Sequence, residues 1–317
     1  MKRKKLLENT SPYLYLAPAL VIIIVFRFLP MIYAVAVSFC EWNVAGFQKF
    51  IFLENYSKLL TAKIFWKSLF NTLFFSIGTV PIGLFLAMFM AIFLNQKIKG
   101  LGWYRTVYFM PVVTSLVAIS MVWKWIFHER MGLANYFLDM IGLEPLEWLG
   151  DPTGVFSMFF GQFGVDVPNW MGGPSLALTS IIIVSVWKGL GYNIVIFLAG
   201  LQNIPDHYYE AAKIDGANNW HRFRHVTWPL LTPTTFYVLV MTTIISFQVF
   251  TQIYLMTGPP PGAPMDTTKV IVYYLYEQGF DFYRSGYASA IASVLFLIIL
   301  ALTLFQRKVV EKRVHYA

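Results

Sequence analysis

Along this chain, apolar residues come in long unbroken runs rather than at helical or strand spacing on one face. Six runs approach or exceed the length that crosses a bilayer as a helix, about 20 residues. They cover residues 12–39, 69–94, 106–123, 175–199, 230–256 and 286–305. The second and fifth carry no charge, the first is interrupted by Arg27 and Pro30, and the fourth holds Lys188. Backbone amides cannot be left unpaired in hydrocarbon, and the runs are far longer than barrel strands, so all six are predicted to be helices. The expected fold class is all-α, a polytopic membrane protein with six transmembrane helices. The basic start Met1-Lys2-Arg3-Lys4-Lys5 has the look of a signal peptide. The apolar stretch after it is longer than the usual 7–15 residues and no small-x-small site follows closely, which favours a retained first helix.

Composition agrees with this pattern. Of 317 residues, 57% are apolar before the 21 glycines are counted and 13% are charged, with a mean hydropathy of +0.60. A soluble domain carries about 25% charged residues. That difference excludes the soluble and disordered classes. One cysteine, Cys40, excludes an internal disulfide framework and a cysteine-rich metal site. The net charge of +8 could suggest nucleic acid, but in a membrane chain it reads as a cytoplasmic and anionic-lipid signal, and no nucleic-acid partner is expected.

Orientation follows from the basic residues. With the N-terminus inside, Lys2, Arg3, Lys4, Lys5, Lys97, Lys99, Arg105, Lys213, Arg222, Arg224, Arg307, Lys308, Lys312 and Arg313 are cytoplasmic. Lys49, Lys58, Lys63, Lys67, Lys124, Arg130, Lys269 and Arg284 are outside, on longer loops. The positive-inside rule therefore places the termini, 1–11 and 307–317, in the cytoplasm. Trp123, Trp125, Trp148 and Trp170 fall at or beyond outer helix ends, as interfacial aromatics do. The longest outer segment, 128–174, is acidic and has room for a short helix at 131–141. Residues 258–262 read as a stiff outer loop.

One polar connection, 203–229, is rich in helix formers, small residues and aromatics. Pro205 suits a first helical turn, and Gly216 a left-handed helix stop. A second helix is expected near Asn218, with Trp220, Phe223 and Val226 on overlapping faces and Pro229 turning the chain into the fifth span. Glu210-Ala211-Ala212, with Gly216 four residues after Ala212 and Pro229 thirteen after Gly216, resembles the EAA loop of ABC importer permeases. The whole chain is similar to the maltose-type, carbohydrate-uptake branch of these binding-protein-dependent inner-membrane components. Asn203-Ile204-Pro205, the stretch from Tyr104 to Pro111, and Tyr254-Leu255-Met256-Thr257-Gly258 fit that branch. The family's usual Ile-x-Leu-Pro ending is replaced by Val226-Thr227-Trp228-Pro229.

The resemblance implies the type I ABC importer permease fold in a bacterial inner membrane. It implies a second homologous permease, two ATPase subunits, a periplasmic or lipid-anchored solute-binding protein and a sugar-like substrate. Coupling to the ATPases would run through Glu210, Ala211, Ala212, Asp215 and Gly216. By the family's spacing from Glu210, the substrate pathway would include Gly189, Tyr192, Thr242, Ile245, Ser246 and Val249, with Gln248 and Gln252 nearby on other faces. The related maltose permease has amides where this chain has Ser246 and Val249.

Lys188 lies one residue before Gly189 and one turn before Tyr192. A basic residue at mid-span costs about 2.5–3.5 kcal/mol on insertion scales. Either Lys188 and Arg27 line the pathway and favour an anionic polyol, such as an acidic oligosaccharide or a glycerol phosphate, or each bonds carbonyls exposed by a kink or snorkels outward. No cofactor or metal is expected: the chain has no G-x-x-x-x-G-K-[ST], and His128-Glu129 does not continue as H-E-x-x-H. The chain is thus expected to be a transporter subunit and not an enzyme, with ATP hydrolysed elsewhere. None of the six runs carries a carboxylate, which argues against an ion-coupled transporter working alone.

Overall fold

The structure is a computed structural model that describes residues 15–96, 99–168 and 171–310. Residues 1–11, the first three residues of the first span, Lys97, Trp170 and the tail with Lys312 and Arg313 lie outside the described residues. The chain divides into two compact units. One comprises 15–62 and 275–297, the other 63–274 and 298–310.

In the first unit, α1 (Tyr15–Ser38) is exposed along nearly its whole length and contains a π-helical turn at Ile24–Phe28. Arg27 sits exposed in that turn. A short antiparallel hairpin follows, β1 (Cys40–Asn43) and β2 (Gly46–Phe50), which the apolar runs do not announce. The buried Asn55 of α2 (Glu54–Thr61) ties it to the end of α1, donating to the carbonyls of Ser38 at 2.8 Å and Cys40 at 3.0 Å.

The second unit is built on α3 (Lys63–Leu94), α8 (Leu176–Gln202) and α10 (Asn219–Phe247). Between α3 and α8 come α4 (Leu101–Val113), α5 (Leu116–Ile126), α6 (Leu133–Met140) and α7 (Val155–Gly161). Between α8 and α10 comes α9 (Asp206–Ile214). Then follow α11 (Thr251–Met256), α12 (Ile271–Tyr276) and α13 (Ser285–Val310), the last crossing from one unit to the other. Ala87, Met88, Ala91 and Leu94 of α3 pack with Ile194, Phe197, Leu198 and Leu201 of α8 and with Leu231 and Val238 of α10. Lipid is as apolar as these side chains, so close packing and buried hydrogen bonds hold such helices together. Ser246 Oγ lies 2.8 Å from Ser76 Oγ, joining α10 to α3, and Gln306 of α13 donates to Thr243 Oγ1 at 3.0 Å. Gly191 is buried where α8 crosses α4. A Cβ there would come within 2.3 Å of the Tyr108 carbonyl oxygen, so only hydrogen fits.

Two of the expected spans are not continuous helices. The third, read as 106–123, is α4 and α5 meeting at a bend of 99°. Pro111 offers no N–H to the carbonyl one turn back. Thr114 and Ser115 then turn extended, with ψ of 140° and 132°. The fifth, read as 230–256, stops at Phe247. Gln248 to Phe250 break the helix, and Thr251–Met256 forms α11, which packs against α5. Lys124 of α5 donates to the Leu255 carbonyl at 3.2 Å. Both runs remain apolar throughout because their breaks are satisfied by protein, so hydropathy does not register them.

The Gly191 contact generates a test. Gly191→Ala is expected to lower stability in detergent by about 1–3 kcal/mol, read as a drop in thermal midpoint. Gly189→Ala, where a Cβ meets nothing within 4 Å, leaves the midpoint unchanged or raises it.

Candidate functional site

Among the described residues, two features stand out: a cavity inside the second unit and the connection around Glu210. The cavity has a volume of about 420 Å³ and is walled by α3, α8, α10 and α11, with Val112 and Leu116 from either side of the α4–α5 break. Lys188, Gly189, Tyr192, Thr242, Ile245, Ser246 and Val249 all line it, although 53 residues separate Tyr192 and Ile245 in sequence. Tyr192 and Ile245 are exposed, while Ser246 and Val249 are buried. Ser246 Oγ is engaged with Ser76 and with the Thr243 carbonyl at 2.8 Å, and Thr242 Oγ1 donates to the Val238 carbonyl at 2.6 Å. The protons of both hydroxyls are thus taken up by partners within the helix bundle.

Lys188 reaches the broken third span. Its Nζ donates to the carbonyls of Pro111, Val112 at 3.0 Å and Thr114 at 3.1 Å. An ammonium has three N–H donors. All three are directed at backbone oxygens that the bend deprives of helical partners. Thr114 Oγ1 takes a further one, the Met110 carbonyl, at 2.9 Å. The geometry is that of a lysine bonded to carbonyls at a kink.

Sequence spacing missed part of the lining. Gln248 and Gln252, expected on other faces, line the same cavity. The break after Phe247 resets the 100° rotation per residue that put them elsewhere. Gln252 Nε2 is 3.5 Å from Ser185 Oγ, and the buried Asn193 is a third amide in the wall. The available signal was the appearance of two amides four residues apart in an uncharged run.

In the connection, Pro205 precedes α9 as its N-cap rather than entering the first turn. Glu210, Ala211, Asp215 and Gly216 are exposed and Ala212 is half-buried. The helix closes on Gly216 at φ +78°, with Gly216 N–H donating to the Lys213 carbonyl at 3.1 Å and Ala217 N–H to the Ala212 carbonyl at 2.9 Å. This paired closure needs a left-handed residue, which glycine supplies without strain. Asn218 caps the next helix, its side chain accepting from His221 N–H at 2.9 Å. Pro229 does not turn the chain. The helix runs on from Asn219 through a π turn at Phe223–Thr227 into the fifth span, with Trp228 N–H reaching back five residues to the Phe223 carbonyl. Tyr209, not anticipated from sequence, fastens α9 to the bundle. Its ring packs on the core of α3, α8 and α10, and its hydroxyl is 3.1 Å from Thr227 Oγ1. Ile214 and Trp220 are exposed apolar side chains on the same connection.

Comparison with known proteins gives these features a context. The chain is 34% identical over 312 residues, 98% of this chain and 93% of the relative, to a probable ABC transporter permease protein, YesP of Bacillus subtilis. It is 34% identical to the sn-glycerol-3-phosphate transport system permease protein UgpA of Agrobacterium fabrum, over 96% of both chains. It is 32% identical to the trehalose/maltose transport system permease protein MalF of Thermococcus litoralis, over 95% of this chain and 94% of the relative. In fold it is similar to a chain of a bacterial ABC transporter involved in import of the acidic polysaccharide alginate, at a TM-score of 0.80 and 22% identity over 98% of this chain and 99% of that one. It is a multi-pass membrane subunit of a transport system and not an enzyme. Residues 79–316, which hold every cavity-lining residue but Phe75 and the whole connection around Glu210, match the family described as binding-protein-dependent transport system inner membrane component, and the chain belongs to that family.

Proposed function

We propose that the chain forms half of the translocation pathway of an ATP-driven importer for a sugar, oligosaccharide or related polyol. The observation that carries this reading is the single cavity in which Tyr192, Thr242, Ser246, Gln248 and Gln252 converge. Its volume of about 420 Å³ lies within the range of small-molecule sites, about 300–1,000 Å³. Hydroxyls and amides on an otherwise apolar wall suit a neutral, hydroxyl-rich solute, and the Tyr192 ring offers a face to a sugar. Relatives named for glycerol 3-phosphate, trehalose and maltose, and arabinooligosaccharides support the class. A second, similar permease completes the wall, and an extracytoplasmic binding protein delivers the solute to the acidic outer loops.

Lys188 contributes to the wall and not to the ligand set. Its donors are fully used by the α4–α5 break, so an anion is not required to satisfy it.

In this reading the connection 203–229 is the cytoplasmic coupling element and, with six crossings, both termini are cytoplasmic. Glu210, Ala211, Ala212, Asp215 and Gly216 meet the ATPase together with the exposed Ile214. Tyr209 and the unbroken helix from Asn219 to Phe247 transmit the movement of that helix to the cavity. Closure of two ATPases then switches the bundle between two packed states.

Two tests follow for coupling. Glu210→Lys reverses a charge at the docking face and is expected to abolish co-purification with the ATPase while membrane insertion is unchanged. Gly216→Val meets no neighbour, since no atom lies within 4 Å of its Cβ position. It still forces a β-branched residue to positive φ, at a cost of about 1–2 kcal/mol, and is expected to reduce uptake strongly with the subunit still inserted. Normal uptake and ATPase stimulation in either variant contradict the assignment.

A third test separates the two roles of Lys188. Lys188→Met is expected to destabilise the permease by about 1–3 kcal/mol through unsatisfied carbonyls and to impair uptake of neutral and anionic solutes alike. Selective loss of anion uptake, with the thermal midpoint unchanged, assigns the charge to the pathway instead.

A further inference from the structure

We propose that the β1–β2 hairpin is a lipid anchor, its aromatic face seated at the headgroup boundary of the leaflet at the C-terminal end of α1, the outer leaflet in the orientation proposed above. The register sets Cys40 opposite Phe50, Glu41 opposite Lys49 and Trp42 opposite Phe47. Side chains alternate along a strand, and directly paired residues share a face. Trp42, Phe47 and Phe50 therefore lie on one face. Glu41 and Lys49 lie on the other, joined by an ion pair of 3.2 Å. The register shift between Glu41 and Trp42 makes this separation possible, because it takes up Gln48 as an extra residue. In a regular strand Phe47 and Phe50, three residues apart, would point to opposite faces.

The aromatic face is turned back along the membrane span. Cys40 Sγ, on that face, donates to the Ala36 carbonyl of α1 at 3.6 Å. The Trp42 ring meets Tyr33 of α1 edge to face, with centroids 6.1 Å apart, and meets Phe47 in the same way at 6.1 Å. Tyr33 lies five residues, about 7.5 Å, before the end of α1 at Ser38. The polar layer on each side of the hydrocarbon core is about 5–8 Å deep. Trp42 and Phe47 are thus held beside a span at the depth of the headgroups, not beyond them in water. Phe47 and Phe50 are each 53% exposed and Tyr33 is 54% exposed. A two-stranded hairpin is at best marginally stable in water, and an uncovered aromatic face is unfavourable there. At the headgroup boundary the same rings lie where aromatic side chains are favoured. The Glu41–Lys49 pair stays hydrated on the opposite face. The hairpin is held in this attitude by Asn55 and by α13, where a Cβ on Gly286 would come within 2.2 Å of the Cys40 carbonyl oxygen. A hairpin anchored in lipid fixes the depth and rotation of α1, whose own sides are almost wholly exposed.

The test uses the full-length permease, with the subunits that co-purify with it, in nanodiscs of phosphatidylethanolamine and phosphatidylglycerol. Cys40 is the one cysteine of the chain, so Cys40→Ala gives a background for nitroxide labels attached through Phe47→Cys, Phe50→Cys or Lys49→Cys. Oxygen concentrates in lipid, and a neutral nickel chelate stays in water. Labels at positions 47 and 50 should be relaxed several-fold more by oxygen than by nickel, and the label at position 49 the reverse. High nickel accessibility at 47 and 50 puts the face in water. Low accessibility to both reagents puts it against protein, whether a second permease or a binding protein. Either result overturns the anchor. A second measurement leaves the sequence unaltered. A lipid-soluble carbene precursor, photolysed in the same nanodiscs, should leave adducts on Trp42, Phe47 and Phe50, and their absence from all three overturns the proposal.

Discussion

Everything near the cavity depends on one requirement, that backbone carbonyls freed inside a membrane find donors within the protein. The third span bends by 99° between α4 and α5, and a bend in hydrocarbon is tolerated only where its loose polar groups are satisfied. Lys188 meets that requirement from a neighbouring helix with all three of its N–H groups. The interaction works in both directions. The carbonyl dipoles solvate an ammonium that would otherwise be costly at mid-span, and the ammonium stabilises the bend. Because Lys188 sits one residue before Gly189 and one turn before Tyr192, the contact that fixes the bend also fixes the wall of the cavity.

Close approach of the helices reinforces this arrangement. Gly191 lets α8 press against the Tyr108 carbonyl of α4, three residues from Lys188 and on the same side of the helix. The lysine therefore reaches its carbonyls over a short distance. The break in the fifth span works with the break in the third, because the short helices beyond them, α5 and α11, pack on each other. Two irregular segments thus share partners, and the amides of Gln248 and Gln252 are turned toward the space between them.

The connection around Glu210 uses the same economy of contacts at the other end of α10. Its helix is closed by a glycine in the left-handed region and anchored by a single aromatic residue, Tyr209, whose ring packs on the core while its hydroxyl meets Thr227. The π turn absorbs Pro229, which leaves the helix from Asn219 to Phe247 unbroken. In the proposed role, force applied near Glu210 has a rigid path to Thr242 and Ser246 in the cavity wall.

The sequence alone determined the class of the molecule, because about 20 apolar residues in lipid can only be a helix. It also determined the motif around Glu210 and the stop at Gly216, since local backbone chemistry is written in adjacent residues. Lys188 was legible as an anomaly, with two readings left open. Only the tertiary structure decided its partners, because the carbonyls of Pro111, Val112 and Thr114 lie more than 70 residues away in the chain. It alone divided the third and fifth spans, since a break satisfied by neighbouring helices leaves the hydropathy of its own segment unchanged. It also brought Gln248 and Gln252 into the cavity, because helical periodicity predicts a face only as far as the helix continues. The hairpin after α1 was equally out of reach, as Asn55 secures it through carbonyls 15 and 17 residues away.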